Sequence, residues 1–199
     1  MILLFSTGCI KNTGSTEVGV RVKKIALLGG RGIEQKVYSP GSTYFFLPYA
    51  NDWYTFDTKL QNLEMTLSRD SGDIRGVDDL RFKTIDGNDI SLDLIVSYRI
   101  NPLKAPYILE YVARNDYELR LKIVRTISRS IPRDIFGELE TESFYTSEKR
   151  AEKSLKVKNL LNQILNEYGV IIENVLTKDY RFNSAYQQAI EDKKIADQQ

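Results

Sequence analysis

The chain has 199 residues, of which 42% are hydrophobic and 28% charged, with Lys and Arg numbering 28 against 27 Asp and Glu. Such a chain folds, and its net charge of +1 offers nucleic acid no basic footprint. Histidine is absent and cysteine occurs once, which excludes Ser-His and Cys-His nucleophiles, histidine metal sites, an internal disulfide and a cysteine-rich zinc site.

Met1-Ile2-Leu3-Leu4-Phe5 is apolar and runs into Ser6-Thr7-Gly8-Cys9. The pattern resembles a bacterial lipoprotein signal with a relaxed lipobox. Ser6 stands where Leu is usual, no basic residue precedes the run, and the run is shorter than the ~7–15 residues of an ordinary signal. Three readings stay open: Cys9 is lipidated, the stretch is the tail of a spanning helix that starts upstream, or it is a frayed apolar end. As given it is too short to span a bilayer, which needs ~20 apolar residues.

After a polar spacer, residues 11–16, Val18, Val20 and Val22 alternate with Gly19, Arg21 and Lys23 and predict a strand. Gly29-Gly30-Arg31-Gly32 lacks the spacing of a phosphate loop and precedes no helix, so it reads as a hairpin turn. Tyr44, Phe45, Phe46 and Tyr49 form an aromatic run, and Trp53 opens another extended segment that ends near Leu67. The stretch from Ser68 to Asp79 is polar. Its Asp70, Asp73, Asp78 and Asp79 match no calcium motif and read as residues of a solvated loop.

Leu80 to Pro102 is the most informative stretch. Ile90, Leu92, Leu94, Val96, Tyr98 and Ile100 alternate with Ser91, Asp93, Ser97, Arg99 and Asn101, and only Ile95 breaks the pattern. Strand side chains alternate between faces, so this predicts a strand with one buried and one wet face. Leu80 and Phe82 begin its partner. Asp86 and Gly87 between the two runs signal a hairpin turn, with Gly87 at positive φ. Pro102 then stops the ladder.

The period changes after Pro102. Pro106 suits a first helical turn, followed by a face of Ile108, Tyr111 and Val112. Asp116 is expected to cap a second helix with Leu119, Ile123, Ile127 and Ile131 at spacing four, and Pro132 to end it. A third helix is predicted from about Ser147 to Tyr168, with Val157, Leu160, Leu161, Ile164, Leu165 and Tyr168 on one stripe. Gly169 suits its C-terminus, and Val170-Ile171-Ile172 begins a short strand. Asn183 is placed to cap a last helix, rich in Ala, Gln and charges of both signs, that runs to Gln199.

Strands first, then helices, then a strand and a final helix make an α+β domain. Thr84-x-Asp86-Gly87 and the strand ending Tyr98-Arg99-Ile100-x-Pro102 resemble the centre of the SPFH domain, also called band 7, the family of stomatins, prohibitins and flotillins. Glu17-Val18-Gly19-Val20, Ser39-Pro40-Gly41 before Leu47-Pro48, Asp57-Thr58-Lys59, Arg125 and Arg129, Ile135-Phe136, Tyr168-Gly169 and Phe182-Asn183 followed by Tyr186, Ala189, Ile190 and Lys193 resemble further parts in the same order. Lys59 stands where Arg is usual, and the insert from Ser68 to Asp79 departs from the family pattern.

The resemblance implies an antiparallel or mixed sheet packed by helices and followed by a C-terminal helix. The expected divisions are an anchor or signal remnant with its spacer at 1–16, the SPFH domain at 17–182, and the start of a coiled-coil-type helix at 183–199. It also implies a membrane-anchored, self-assembling scaffold and no enzyme, with no catalytic residues, cofactor or metal. Expected partners are membrane lipid, further copies or a related SPFH protein in a ring or cage, and a membrane protease; nucleic acid is not among them. The expected location is a membrane, as a lipoprotein or single-pass protein of a bacterial cell envelope. Cys9 is the lipidation candidate, and Tyr186, Ala189, Ile190 and Lys193 are the candidate contacts between subunits. The alternative function is a monomeric, lipid-anchored binding module. An enzyme using Asp86 and Asp89 is weighed against their plainer role in the turn.

Overall fold

The computed structural model describes residues 10–25, 30–47 and 49–188. They form nine strands, four complete α-helices and the start of a further helix at 184–188: β1 (Ile10–Asn12), β2 (Glu17–Lys23), β3 (Gly32–Tyr38), β4 (Thr43–Phe45), β5 (Asn51–Asp57), β6 (Gln61–Met65), β7 (Leu80–Lys83), β8 (Asp89–Ile100), α1 (Ala105–Tyr107), α2 (Asp116–Leu119), α3 (Arg125–Gly137), α4 (Ser147–Leu165) and β9 (Val170–Phe182). The chain divides into two compact units. The first comprises Met1–Gln61, Arg99–Val124 and Ile164–Ile171, and the second Asn62–Tyr98, Arg125–Gln163 and Ile172–Gln199.

In the first unit β2 is the middle of an antiparallel sheet ordered β3-β2-β5, and β1 pairs with β4 in a separate ribbon. The valine alternation of β2 buries Val18 and Val20 with Phe56 of β5. Trp53 of β5 lies over Gly19, where a Cβ atom would come within 2.1 Å of the indole. Gly169 sits at φ +79°, and a Cβ there would come within 2.9 Å of Ile108 and Lys104. Glycine at that helix end therefore answers both the backbone and the packing.

The second unit is built on a four-stranded sheet in which β8 pairs with β6, β7 and β9. Leu80 pairs with Leu92 and Phe82 with Ile90 in antiparallel register. Leu63, Met65, Leu92, Leu94, Val96, Phe136, Phe144, Val157 and Leu161 make its core. Gly87 in the β7–β8 turn has φ +86°.

Several expectations need correction. The second face of β8 is not wet: Asp93 is 1% exposed and Ser97 is buried. Asp93 accepts hydrogen bonds from Thr66 Oγ1 and the Leu67 N–H and is clasped by both terminal nitrogens of Arg181, so its charge is matched where water is excluded. Arg181 lies on β9, which begins at Val170 as expected but runs 13 residues to Phe182 and is not a short strand. Asn115, not Asp116, caps α2 by accepting from the Glu118 N–H at 2.8 Å.

Pro132 lies inside α3 and does not end it. The spacing-four face is also displaced. A π-helical turn at Arg120–Val124 inserts one residue, so burial steps from Leu119 to Val124, Ser128, Pro132 and Phe136, while Ile123, Ile127 and Ile131 are only half-buried. In the insert after Ser68, Asp78 and Asp79 are buried. Asp78 is bridged by Arg125 and Arg129 of α3, and Asp79 by Arg81.

Candidate functional site

The turn residues are committed to structure. The Asp86 carboxylate accepts from the Thr141 N–H and hydroxyl at 3.0 and 2.8 Å. Hydrogen bonds from Thr84 and Thr141 hold it at about 2, below the usual carboxylate range. A carboxylate that stays ionised and occupied in this way is poorly suited to exchange protons near neutral pH. Asp89 forms an exposed ion pair with Lys83 at 2.9 Å. Among the described residues, no three His, Cys, Asp or Glu side chains gather to hold a metal ion.

The unusual surface lies on the first unit. Along the aromatic run, Tyr44 and Phe46 turn inward. They join Tyr38 and Trp53 in a cluster with ring centroids 4.8 to 6.2 Å apart, and Arg21 stacks over Phe46 at 4.6 Å. Phe45 of β4, and Leu47 two residues after it, are left uncovered by the described residues. Phe45 is 73% exposed, and Leu47 is exposed as well. Ile10, the register partner of Phe45 across the β1–β4 ribbon, is also exposed.

Tyr49 completes the surface. Its φ is +64°, which a bulky side chain rarely adopts, and the residue is 88% exposed. Strain at so exposed an aromatic is a pointer to a function outside the fold. The following residue connects this loop to the end of β2, because the Lys24 N–H donates to the Ala50 carbonyl at 2.9 Å and leaves Ile25 exposed beside it. Ile10, Ile25, Phe45, Leu47 and Tyr49 are thus all exposed on the first unit. Isolated exposed apolar residues need no explanation, but a run that exposes Phe45 at the end of a strand, Leu47 just after it and a strained aromatic next does.

Of the candidates from sequence, Asp86 and Gly87 occupy the β7–β8 turn. Tyr186 packs its ring on Phe182 at 5.3 Å, just after Asn183 accepts from its N–H at 2.8 Å. Cys9, Ala189, Ile190 and Lys193 lie outside the described residues. Phe45, Leu47 and Ile10 were missed as a surface. The signal was present in Tyr44-Phe45-Phe46-Leu47, since four consecutive apolar residues in an extended run cannot all face one core.

Among the described residues, no helix is long and apolar enough to cross a membrane. In comparisons with known proteins, the sequence model of the family described as SPFH domain / Band 7 family matches residues 11–199. The chain is similar to Prohibitin-1 of Saccharomyces cerevisiae, with 25% identity over 167 residues. That alignment takes in 84% of this chain and 52% of the yeast protein, so the chain spans about half the length of that curated relative.

Proposed function

Because the chain belongs to the SPFH domain / Band 7 family, we propose that it is a membrane-associated scaffold whose first unit rests on lipid through Ile10, Phe45, Leu47 and Tyr49. The observation that carries this is the outward pair Phe45 and Leu47, exposed beside Tyr49. Fully burying one such side chain is worth about 1.5–3 kcal/mol, so shallow insertion of several gives useful affinity without a spanning segment. Tyr49 adds a ring with an apolar body and a polar tip, the kind that settles at a membrane–water boundary. The apolar residues Met1 to Phe5 precede β1 in sequence and would reach the same bilayer. Within this reading Cys9 is the lipidation site, 1–16 the anchor and spacer, and 183–199 the start of the assembly helix, in which Tyr186, Ala189, Ile190 and Lys193 meet neighbouring copies. Many copies side by side would organise a patch of membrane and restrain partners such as a protease in a cell envelope.

The test is flotation of the purified full chain with phosphatidylcholine–phosphatidylglycerol vesicles. Phe45→Glu combined with Leu47→Glu should cut the bound fraction by about tenfold, on the cost of keeping two charges at the apolar boundary. Cys9→Ser, prepared in parallel, separates an acyl anchor from this surface. Equal flotation of the double variant and the parent, each carrying Cys9→Ser, would remove the proposed lipid contact.

A further inference from the structure

The outer edge of β9 leaves polar backbone uncovered in the second unit. On its inner side β9 pairs with β8, and the Asn183 N–H donates to the Asp89 carbonyl at 3.3 Å. On its outer side Asn162 of α4 takes the place of a neighbouring strand. Its Nδ2 donates to the Ile172 carbonyl, and its Oδ1 accepts from the Ile172 N–H, each at 2.8 Å. Backbone groups of alternate strand residues point to the same edge, so those of Asn174 and Leu176 face outward with those of Ile172. No described strand pairs with that edge. Beyond Asn162 the space between β9 and α4 opens into a groove of about 420 Å³, bordered by residues 174–177 of the strand.

The walls of the groove have a definite chemistry. Arg150, Ser154, Leu155 and Lys158 of α4 line one side. Leu155 is 58% exposed, and Leu176 across from it is 52% exposed. Among the described residues no carboxylate lines the groove, and its ionised groups are both cations. Arg150 is held in place over the Tyr180 ring at 5.0 Å and donates to the Phe144 carbonyl. Unpaired strand edges recruit extended chains, which then match side chains to the flanking walls.

We propose that this groove takes an extended, acidic segment of a partner protein, added to the sheet as a strand beside β9. The four residues from Asn174 to Thr177 span roughly 13 Å, room for about four residues of a partner in register. Carboxylates of the parity that faces α4 meet Arg150 and Lys158, beside Leu155 on the same wall. A second copy of β9 is a poor occupant, because a two-fold edge-to-edge pair would gather Arg150 and Lys158 of both copies at one seam with no acid from residues 174–177. The inference does not depend on the lipid contact, since the two surfaces belong to different units.

The experiment is fluorescence polarisation with the full chain and four labelled hexapeptides: alternating Glu and Val, alternating Lys and Val, and two forms of the acidic peptide, each N-methylated at every second residue in one of its two frames. The acidic peptide should bind at least about tenfold tighter than the lysine peptide, as charge complementarity selects partners. N-methylation should abolish binding in one frame and spare it in the other, because only one frame's N–H groups reach β9. Arg150→Glu with Lys158→Glu should reverse the preference of the two unmethylated peptides. Equal binding of both methylated frames, equal binding of the acidic and lysine peptides, or no binding of the acidic peptide would each overturn the proposal. A fold lost in the double variant leaves the methylation test, made on the unaltered chain, to decide.

Discussion

Gly87 and Asp116 show how single residues carry opposite kinds of information. Gly87 has φ +86°, and a Cβ atom built there meets nothing within 4 Å. Its requirement is purely one of backbone conformation. Gly87→Val should lower stability by on the order of 1 kcal/mol or more, read as a lower chemical unfolding midpoint with an unchanged slope. Asp116 instead reports its tertiary surroundings. Burial pushes its carboxyl up to about 6, and the nearby Asp57 and Glu17 charges add to the rise, while the Asp57 N–H, which donates to it at 3.3 Å, pulls the other way. A folded-state value above the unfolded one means that the fold favours the protonated form. That contribution is complete below the unfolded value near 3.8 and is lost as pH rises through about 6. Asp116→Asn should therefore flatten stability between pH 4 and 7 and raise the thermal midpoint at pH 7. A variant whose loss with rising pH matches the parent's would assign that slope elsewhere. Asp86 and Asp93, both held below the usual range, act with the opposite sign, their stabilisation fading as pH falls below about 4.

At the scale of elements, the insert after Ser68 is tied to α3 by charge. Asp78 and Arg125 are both buried, and the side chains of Asp78 and Arg125 are 9% and 11% exposed. Arg129 makes a second bridge to the same carboxylate and donates to the Asp78 carbonyl at 3.1 Å. Removing the acid strands two guanidinium groups in a protein environment. Asp78→Ala should cost about 3–5 kcal/mol, whereas Asp52→Ala, which breaks the exposed pair with Lys24, should cost about 0–1 kcal/mol. Urea titration of the two variants checks the contrast, and similar midpoints would show that the insert is held by other means. The same comparison explains why a polar insert read as solvent-exposed is partly interior. The partners of its Asp78 lie 47 and 51 residues away in sequence.

At the scale of the whole molecule, association is expected to rest on many weak contacts and on confinement to a surface, not on one large apolar interface. The α4 stripe contributes Val157, Leu161 and Leu165 to the protein's own core, so those residues are not available to a neighbour. Residues 184–188 begin a helix after Asn183, whose side chain accepts from the Tyr186 N–H. A short helix with few apolar residues is marginal in water unless something packs on it. Deleting Ser184–Gln199 should reduce the mass of the gently solubilised particle, measured by light scattering. An unchanged particle would place the assembly contact elsewhere, and a monomeric full chain on membranes would favour a lipid-anchored binding module instead of a scaffold.

The sequence by itself determined what local chemistry dictates. Alternation placed β2 and β8, Asp86-Gly87 placed the turn between β7 and β8, and the helix ending at Tyr168-Gly169 followed from its apolar stripe and its terminal glycine. Family order and spacing were legible because they depend on turns and periods that each segment carries alone. Tertiary structure decided the rest. Asp93 was interior only because Arg181, from a strand 88 residues later, came to meet it. The face of the helices after Asn115 moved by one residue because a π turn is stabilised by packing, which no local periodicity encodes. Phe45 and Leu47 became a surface only once Tyr44 and Phe46 had filled the space around Trp53. Whether an apolar residue is core or contact depends on what remains to cover it, and that is a property of the folded chain.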